Sequence, residues 1–346
     1  QRAAAFVLTA ALLTGAAFPA FAGTYYIEDG DIVISAGTGA GTNKVEQGGT
    51  LKSENDKDTV ITNQDRDTAS SNTVTIDAKD KDDKVEVTLK DVNIDTSKQN
   101  KAAVSVTGKG DTNIELDGDN ELKGAHNRAG LEHNQTVDGE GNVTSGKLTI
   151  QDENNDGRLN ATGKGFAAGI GGGSVKAGQV TITGGTITAT GEDGAGIGGG
   201  HGNMGSNAGN ADIEISGGTI EATGGYASAG IGGGTWGDAN IKITGDAVIK
   251  NATGGVYGSG IGGGGGGTPA TPKVEHKLYI NGFTDGMFHA ERNITREQTA
   301  KMLIDALEKE TAEPEQSSYT DVANNRWSYR WVEAASKEGY MVGYNG

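Results

Sequence analysis

The sequence contains no cysteine, which excludes disulfides and thiolate metal sites and leaves an extracellular chain to be held by its fold alone. Proline is scarce, at 4 of 346 residues, and aromatic residues make up only 5%. A collagen-like chain would need abundant proline with glycine at every third place. A helical globule would need more large apolar side chains than a hydrophobic content of 34% supplies. Basic residues are outnumbered, 29 Lys and Arg against 46 Asp and Glu, for a net charge of −17. That argues against nucleic acid and against anionic membrane surfaces as partners, since both repel an acidic protein. Glycine, by contrast, supplies 60 residues. Each Gly loses more backbone freedom on folding than Ala, by roughly 0.5–1 kcal/mol. So many persist only where their positions demand them or where the chain is disordered.

The first residues speak to the compartment. Ala3 to Ala17 form an apolar run broken by Thr9, Thr14 and Gly15, followed by Pro19 and then Ala20-Phe21-Ala22. The A-x-A triplet after a short apolar run reads as a secretory signal peptide over residues 1–22, cut after Ala22. The run is shorter than the roughly 20 apolar residues of a transmembrane helix, so no membrane span is expected after cleavage. The lack of an initial Met, and an end at Gly346 inside a motif, suggest a sequence cut at both ends.

A repeat fills the middle. Ala168-Gly169-Ile170-Gly171-Gly172-Gly173 recurs at residues 195–200 and 229–234, and with Ser259 in first place at 259–264. Between copies lie alternating segments such as Ile213-Glu214-Ile215-Ser216-Gly217-Gly218-Thr219-Ile220-Glu221-Ala222-Thr223. Ile213 and Ile215 face one way while Asp212, Glu214 and Ser216 face the other, the period-2 mark of a strand. Gly217-Gly218 makes a corner, Thr219 to Thr223 is a second strand, and the Ala-Gly-Ile segment is a third, anchored by its Ile. Three short strands and three corners per repeat describe one coil of a right-handed parallel β-helix, in which no single repeat can bury its own face. Ile170, Ile197, Ile231 and Ile261 are then expected to form one inward ladder. Weaker copies carry the pattern towards the N-terminus, through Leu148 and Ile150, Ile114 and Leu116, Val85 to Leu89, and Val74 to Ile76, to an opening at Tyr26-Ile27 and Ile32 to Ile34. A β-sandwich or a disordered glycine-rich tract is the competing account, though alternation this regular is foreign to flexible linkers. The expected domains are a β-helix over 23–266, a Gly- and Thr-Pro-rich linker over 267–276, and a small α-helical region over 277–346.

In that last region Thr295 and Gln298 form a capping box opening a helix with Ala300, Leu303, Ala306 and Leu307 on one face. A second helix is expected from about Trp327 to Lys337, with Trp327, Trp331 and Ala335 aligned. Here the chain resembles the S-layer homology domain. Ile280-Asn281-Gly282-Phe283-Thr284-Asp285-Gly286-Met287-Phe288 is similar to its G-[YF]-x-D-G-x-F loop, and Ile294-Thr295-Arg296-Glu297-Gln298 to its I-T-R-A-E helix start, departing at Glu297 and Gln298. Tyr319 to Val322 with Trp327, Val332, Gly339 and Gly343 resembles its F-x-D-V…H-W-A…G-x-x-x-G pattern. One partial and one truncated repeat are covered, where the family usually works with three. The resemblance implies non-covalent binding of an acidic secondary cell-wall polysaccharide and a cell-wall or S-layer location. It points to Arg296, Thr295, Asp285, Gly286 and Trp327 as glycan contacts. A guanidinium suits a carboxylate bidentately, which fits Arg296; the alternative is a solvated first-turn residue. The repeats also resemble glycine-rich carbohydrate-binding repeats of bacterial surface proteins.

Other motifs are weaker. Gly194-x-Gly196-x-x-Gly199 and Gly258-x-Gly260-x-x-Gly263 spell a dinucleotide fingerprint but lack the following helix it requires. Asp152, Asn154 and Asp156 before Gly157 match the opening of a calcium loop, although Gly163 stands where a Glu ligand belongs; a polar turn is the alternative. Tyr226, Trp236 and Tyr257 fall in loops beside the repeats and are candidates for stacking on sugars of an extracellular polysaccharide. His126 and His133 flank Arg128 and read as exposed loop residues. A polysaccharide lyase would need an Arg or Lys base over clustered carboxylates, and the β-helix offers only Arg66, Arg128 and Arg158. No catalytic residues and no cofactor beyond that calcium ion are assigned. The expected protein is therefore a wall-attached surface protein displaying a binding or adhesive β-helix. A surface lyase or glycosidase, or a plain structural stalk, is the alternative.

Overall fold

The computed structural model describes residues 23–204, 209–266, 273–274, 295–307, 309–312, 314 and 317–342. The expected signal peptide and the loop residues Asp285 and Gly286 lie outside them. The chain divides into two units, Gln1–Val274 and Glu275–Gly346.

The first unit is a right-handed parallel β-solenoid. Its repeat is legible in one coil. Ala211–Ile215 buries Ile213 and Ile215 while Asp212 and Glu214 stay half-exposed. The chain turns at Gly217-Gly218, with Gly218 at φ +81°. Thr219–Thr223 then buries Ile220 and Ala222, and Ile231–Gly232 closes the coil. Strands stack on their counterparts one coil away, forming a nine-stranded face, a six-stranded face and a ten-stranded face.

The register is one of like on like. On the first face Ile114, Ile150, Ile182, Ile215 and Ile243 are successive partners. On the second, Leu122, Ala161, Ala189, Ala222 and Ala252 follow one another. The third face stacks Ile32, Val74, Val104, Leu131, Ile170, Ile197, Ile231 and Ile261 in one inward line. All but Ile261 are buried. At about 25 cal/mol per Å² of apolar surface removed from water, burial along these ladders is what holds coils together. One coil alone has nothing to stack on.

The third strand explains the glycines. Gly171, Gly198, Gly232 and Gly262 take φ of +123°, +133°, +137° and +140°, a region closed to residues with a Cβ. A Cβ at Gly232 would also sit 1.9 Å from the Gly262 carbonyl oxygen. Adjacent coils approach so closely here that no side chain fits between them.

The N-terminal end departs from this plan. Residues 35–59 carry no repeat, and there Asn43–Gln47 pairs antiparallel with Ile32–Ala36 on one side and with Thr50–Asp56 on the other. The signal for this hairpin is Gly48-Gly49, both at positive φ, as a two-residue turn between antiparallel strands favours. At the other end Lys273–Val274 adds a strand beside Lys242 and Ile243, inside the segment read as linker.

The second unit contains α1 (Arg296–Ala306) and α2 (Tyr329–Lys337). The capping box at Thr295 is made in both directions, Gln298 N–H to Thr295 Oγ1 at 3.2 Å and Thr295 N–H to Gln298 Oε1 at 2.8 Å. The expected apolar face needs correcting. Ala300 packs as expected, but Ile304 rather than Leu303 or Leu307 joins it in the cluster with Ala334 and Ala335, and Leu307 is exposed. Trp327 precedes α2 and is exposed, while Trp331 donates its Nε1–H to Asp305 at 2.9 Å.

Candidate functional sites: a pocket beside α1 and an aromatic edge on the solenoid

In the second unit the start of α1, the Ser318–Val322 segment and Met341-Val342 enclose a pocket of about 680 Å³. Thr295 and Arg296 line it, joined by Arg326, Asp321 and Tyr319. Arg296 donates to the Val342 carbonyl at 2.6 Å, and Arg326 pairs with Glu297 at 2.5 Å. Glu333, buried on α2, fixes the far wall by accepting Ser318 N–H at 2.8 Å and the Ser317 and Ser318 hydroxyls at 3.1 and 2.7 Å. The pocket thus unites two of the residues singled out from sequence. Trp327 is not among its lining residues. Arg326 and Tyr319 were missed as site residues because only the packing of α2 brings them to α1.

On the solenoid two of the three loop aromatics meet, and the third lies on the neighbouring Gly265-Gly266 backbone. Tyr226 and Tyr257 stand edge to face with ring centroids 5.3 Å apart, 60% and 65% exposed. The Trp236 backbone donates to Gly265 at 3.0 Å, and Gly265 to Ala227 at 2.6 Å. The indole lies over Gly266, where a Cβ would come within 2.0 Å of it. Phe166 and His201, in earlier coils, form a further ring pair at 4.8 Å. Sequence reasoning passed over these two, because neither belongs to the repeated string.

His133 needs correction. It is buried in the strand Leu131–His133, with Nδ1 3.1 Å from the Val106 carbonyl and Nε2 2.9 Å from that of Gly146. Burial pushes its pKa below the ordinary imidazole value. His126 is exposed. Next to His133, the buried Glu132 pairs with Arg128 at 3.3 Å and accepts from Asn134 at 3.0 Å.

The Asp152 carboxylate accepts the backbone N–H groups of Asp156 and Gly157 at 3.2 and 3.1 Å, and Asn155 takes φ +62°. This is the geometry of a polar turn. Among the described residues no three His, Cys, Asp or Glu side chains are gathered for a metal. On the first face Lys242 holds the Glu214 carboxyl below its usual range, helped by Lys147, as expected of a solvated charge ladder. Among the described residues no helix is long and apolar enough to cross a membrane.

Two family matches and a curated relative indicate a cell-surface protein with β-helix repeats and an S-layer homology stretch. Residues 155–174, 180–201 and 213–235 match the family of β-helix repeats, and residues 274–300 match the S-layer homology domain. A curated relative, Cell surface glycoprotein 1 of Acetivibrio thermocellus, is 35% identical over 72 residues, which is 20% of this chain and 3% of that protein. The chain therefore corresponds to a very small part of that relative. No solved structure matches.

Proposed function

We propose that this chain is exported and retained non-covalently on the cell wall, where its S-layer homology region grips an acidic secondary wall polysaccharide and its solenoid displays a carbohydrate-binding edge. The observation that carries the reading is the α1 pocket, where Thr295 and Arg296 sit with Arg326 around a concave wall. Guanidinium groups recognise carboxylate-bearing sugars through paired, charge-assisted hydrogen bonds. The exposed Tyr226, Tyr257 and Trp236 would offer apolar ring surfaces to sugar faces. The second reading is a lyase, whose base would be an Arg or Lys of the solenoid; the solenoid arginines form ion pairs. Arg128 pairs with Glu132 at 3.3 Å, Arg158 with Asp119 at 3.5 Å, and Arg66 with Asp119 at 3.6 Å and Asp91 at 3.8 Å.

The test is sedimentation with purified cell walls. The chain with its S-layer homology region should sediment with them, and residues 23–268 alone should stay in solution. Arg296→Ala should weaken retention, and added salt should weaken it further by screening. Equal sedimentation of the tail-less chain, or unchanged binding to walls stripped of acidic polysaccharide, would overturn the reading. Release of unsaturated products from uronic-acid polymers would establish the lyase instead.

A further inference from the structure

We propose that removal of the leader after Ala22 creates an ion pair inside the solenoid's cap, between the new α-ammonium of Gly23 and the buried carboxylate of Asp56. The inference rests on the export reading and adds to it a structural consequence of processing.

Asp56 ends the cap strand Thr50–Asp56 and has no exposed surface. Its Oδ1 accepts the Gly23 backbone N–H at 2.9 Å. Its Oδ2 is buried beside the Tyr25 hydroxyl. Among the described residues no Lys, Arg or His forms an ion pair with this carboxylate. Its neighbour is the Tyr25 phenol, which burial and the Asp56 carboxylate push above the ordinary phenol range, so that it stays neutral. A buried carboxylate without a cationic partner is costly, and a cation is the group that best offsets it.

The Gly23 nitrogen is fixed from both sides. Its own carbonyl accepts the Val60 N–H at 2.9 Å, and the strand Thr24–Tyr26 that follows pairs with Val60, Ile61 and Thr62. A Cβ at position 23 would lie 2.4 Å from Tyr25 Oη and 2.5 Å from Asp56 Oδ2. Only glycine brings a main-chain nitrogen this close. Gly23 is also the residue that directly follows the A-x-A triplet.

In the unprocessed chain this nitrogen is a neutral amide with one proton to donate. Hydrolysis by a leader peptidase consumes one water and breaks the Ala22–Gly23 C–N bond. It leaves a carboxylate on Ala22 and an amine on Gly23, which takes up a proton at neutral pH. The product carries a full positive charge and two more donor protons beside Asp56. The pair ties the first face, through Thr24–Tyr26, to the antiparallel hairpin on the third face. Processing therefore adds to this already formed junction the positive charge that the neutral amide lacks.

The experiment compares the chain starting at Gly23 with the same chain retaining Ala22, each with Asp56 and with Asp56→Asn. The Gly23 α-amine, titrated by its pH-dependent acetylation rate, should have a pKa at least one unit above the ordinary value of about 7.7. A raised pKa stabilises the folded state fully below that ordinary value, and the gain is lost as pH rises through the folded pKa. The processed chain should accordingly melt above the Ala22-retaining chain at pH 6.5. This advantage should shrink above pH 9 and be absent in Asp56→Asn. Equal melting of the two chains, or an advantage that survives Asp56→Asn, would overturn the ion pair. The acetylation titration needs no variant, so an ordinary amine pKa overturns it even if Asp56→Asn does not fold. The N-terminal mass of the secreted protein tests processing separately. A start other than Gly23 would remove its biological setting, whatever the two made chains show.

Discussion

Gly232 shows why glycine is required rather than tolerated in this chain. Its φ of +137° and the 1.9 Å approach of a Cβ to the Gly262 oxygen act together. Gly232→Ala should therefore cost more than the roughly 1–3 kcal/mol of backbone strain alone, lowering the denaturation midpoint. Gly139→Ala, at a glycine with open space around it, should stay within about 0.5 kcal/mol of the parent. Equal effects would show that stacking does not set the glycine requirement. His133 makes a pH-dependent contribution. Burial lowers its folded pKa below the unfolded value of about 6.5, so the folded state prefers the neutral ring. Its stabilising share is present above that value and is lost as pH falls through the folded pKa. The melting temperature should drop between pH 7 and pH 5, with a shallower slope in His133→Gln. Parallel slopes would assign the acid sensitivity elsewhere.

At the scale of elements, no strand of the third face is stable by itself. The strands at Ile170, Ile197, Ile231 and Ile261 are each two residues long, and each exists because its neighbours supply both backbone partners and an isoleucine to pack on. Ile231→Asp places an unpaired charge in the middle of that line, a change worth several kcal/mol or more. Hydrogen exchange should show protection lost first in residues 211–262 and kept in residues 74–150. Uniform loss, or none, would contradict the stacked register. α1 teaches a related point. Its period placed four residues on one face, yet helix packing selects Ala300 and Ile304, whose small and branched side chains let α2 approach.

For the whole molecule, stability is the sum of coil–coil interfaces, with the two ends as the weak points. The hairpin of residues 43–56 extends the N-terminal end of the third face and moves its edge to Thr50–Asp56, where Lys52 and Glu54 place charges of the kind that discourage pairing with another chain. In the function proposed above retention falls to the other unit, so display and anchoring would be separated by cutting between residues 268 and 277. The wall-sedimentation experiment uses that separation.

The sequence by itself determined the coil. Alternation at Ile213 and Ile215, the Gly217-Gly218 corner and the repeated Ala-Gly-Ile string fix strand, turn and register, because each coil repeats the previous one and local pattern is also long-range pattern. It also revealed the capping box at Thr295 and the S-layer homology motifs, whose residues are close in the chain. Only the tertiary structure decided what unlike segments do when they meet. Arg326 reaches the Arg296 pocket through helix packing, His133 leaves its loop for the core between two carbonyls, and Asp56 closes on Gly23 across 33 residues. None of these contacts repeats, so no period announces them; they follow from where the chain is forced to pass once the coils have stacked.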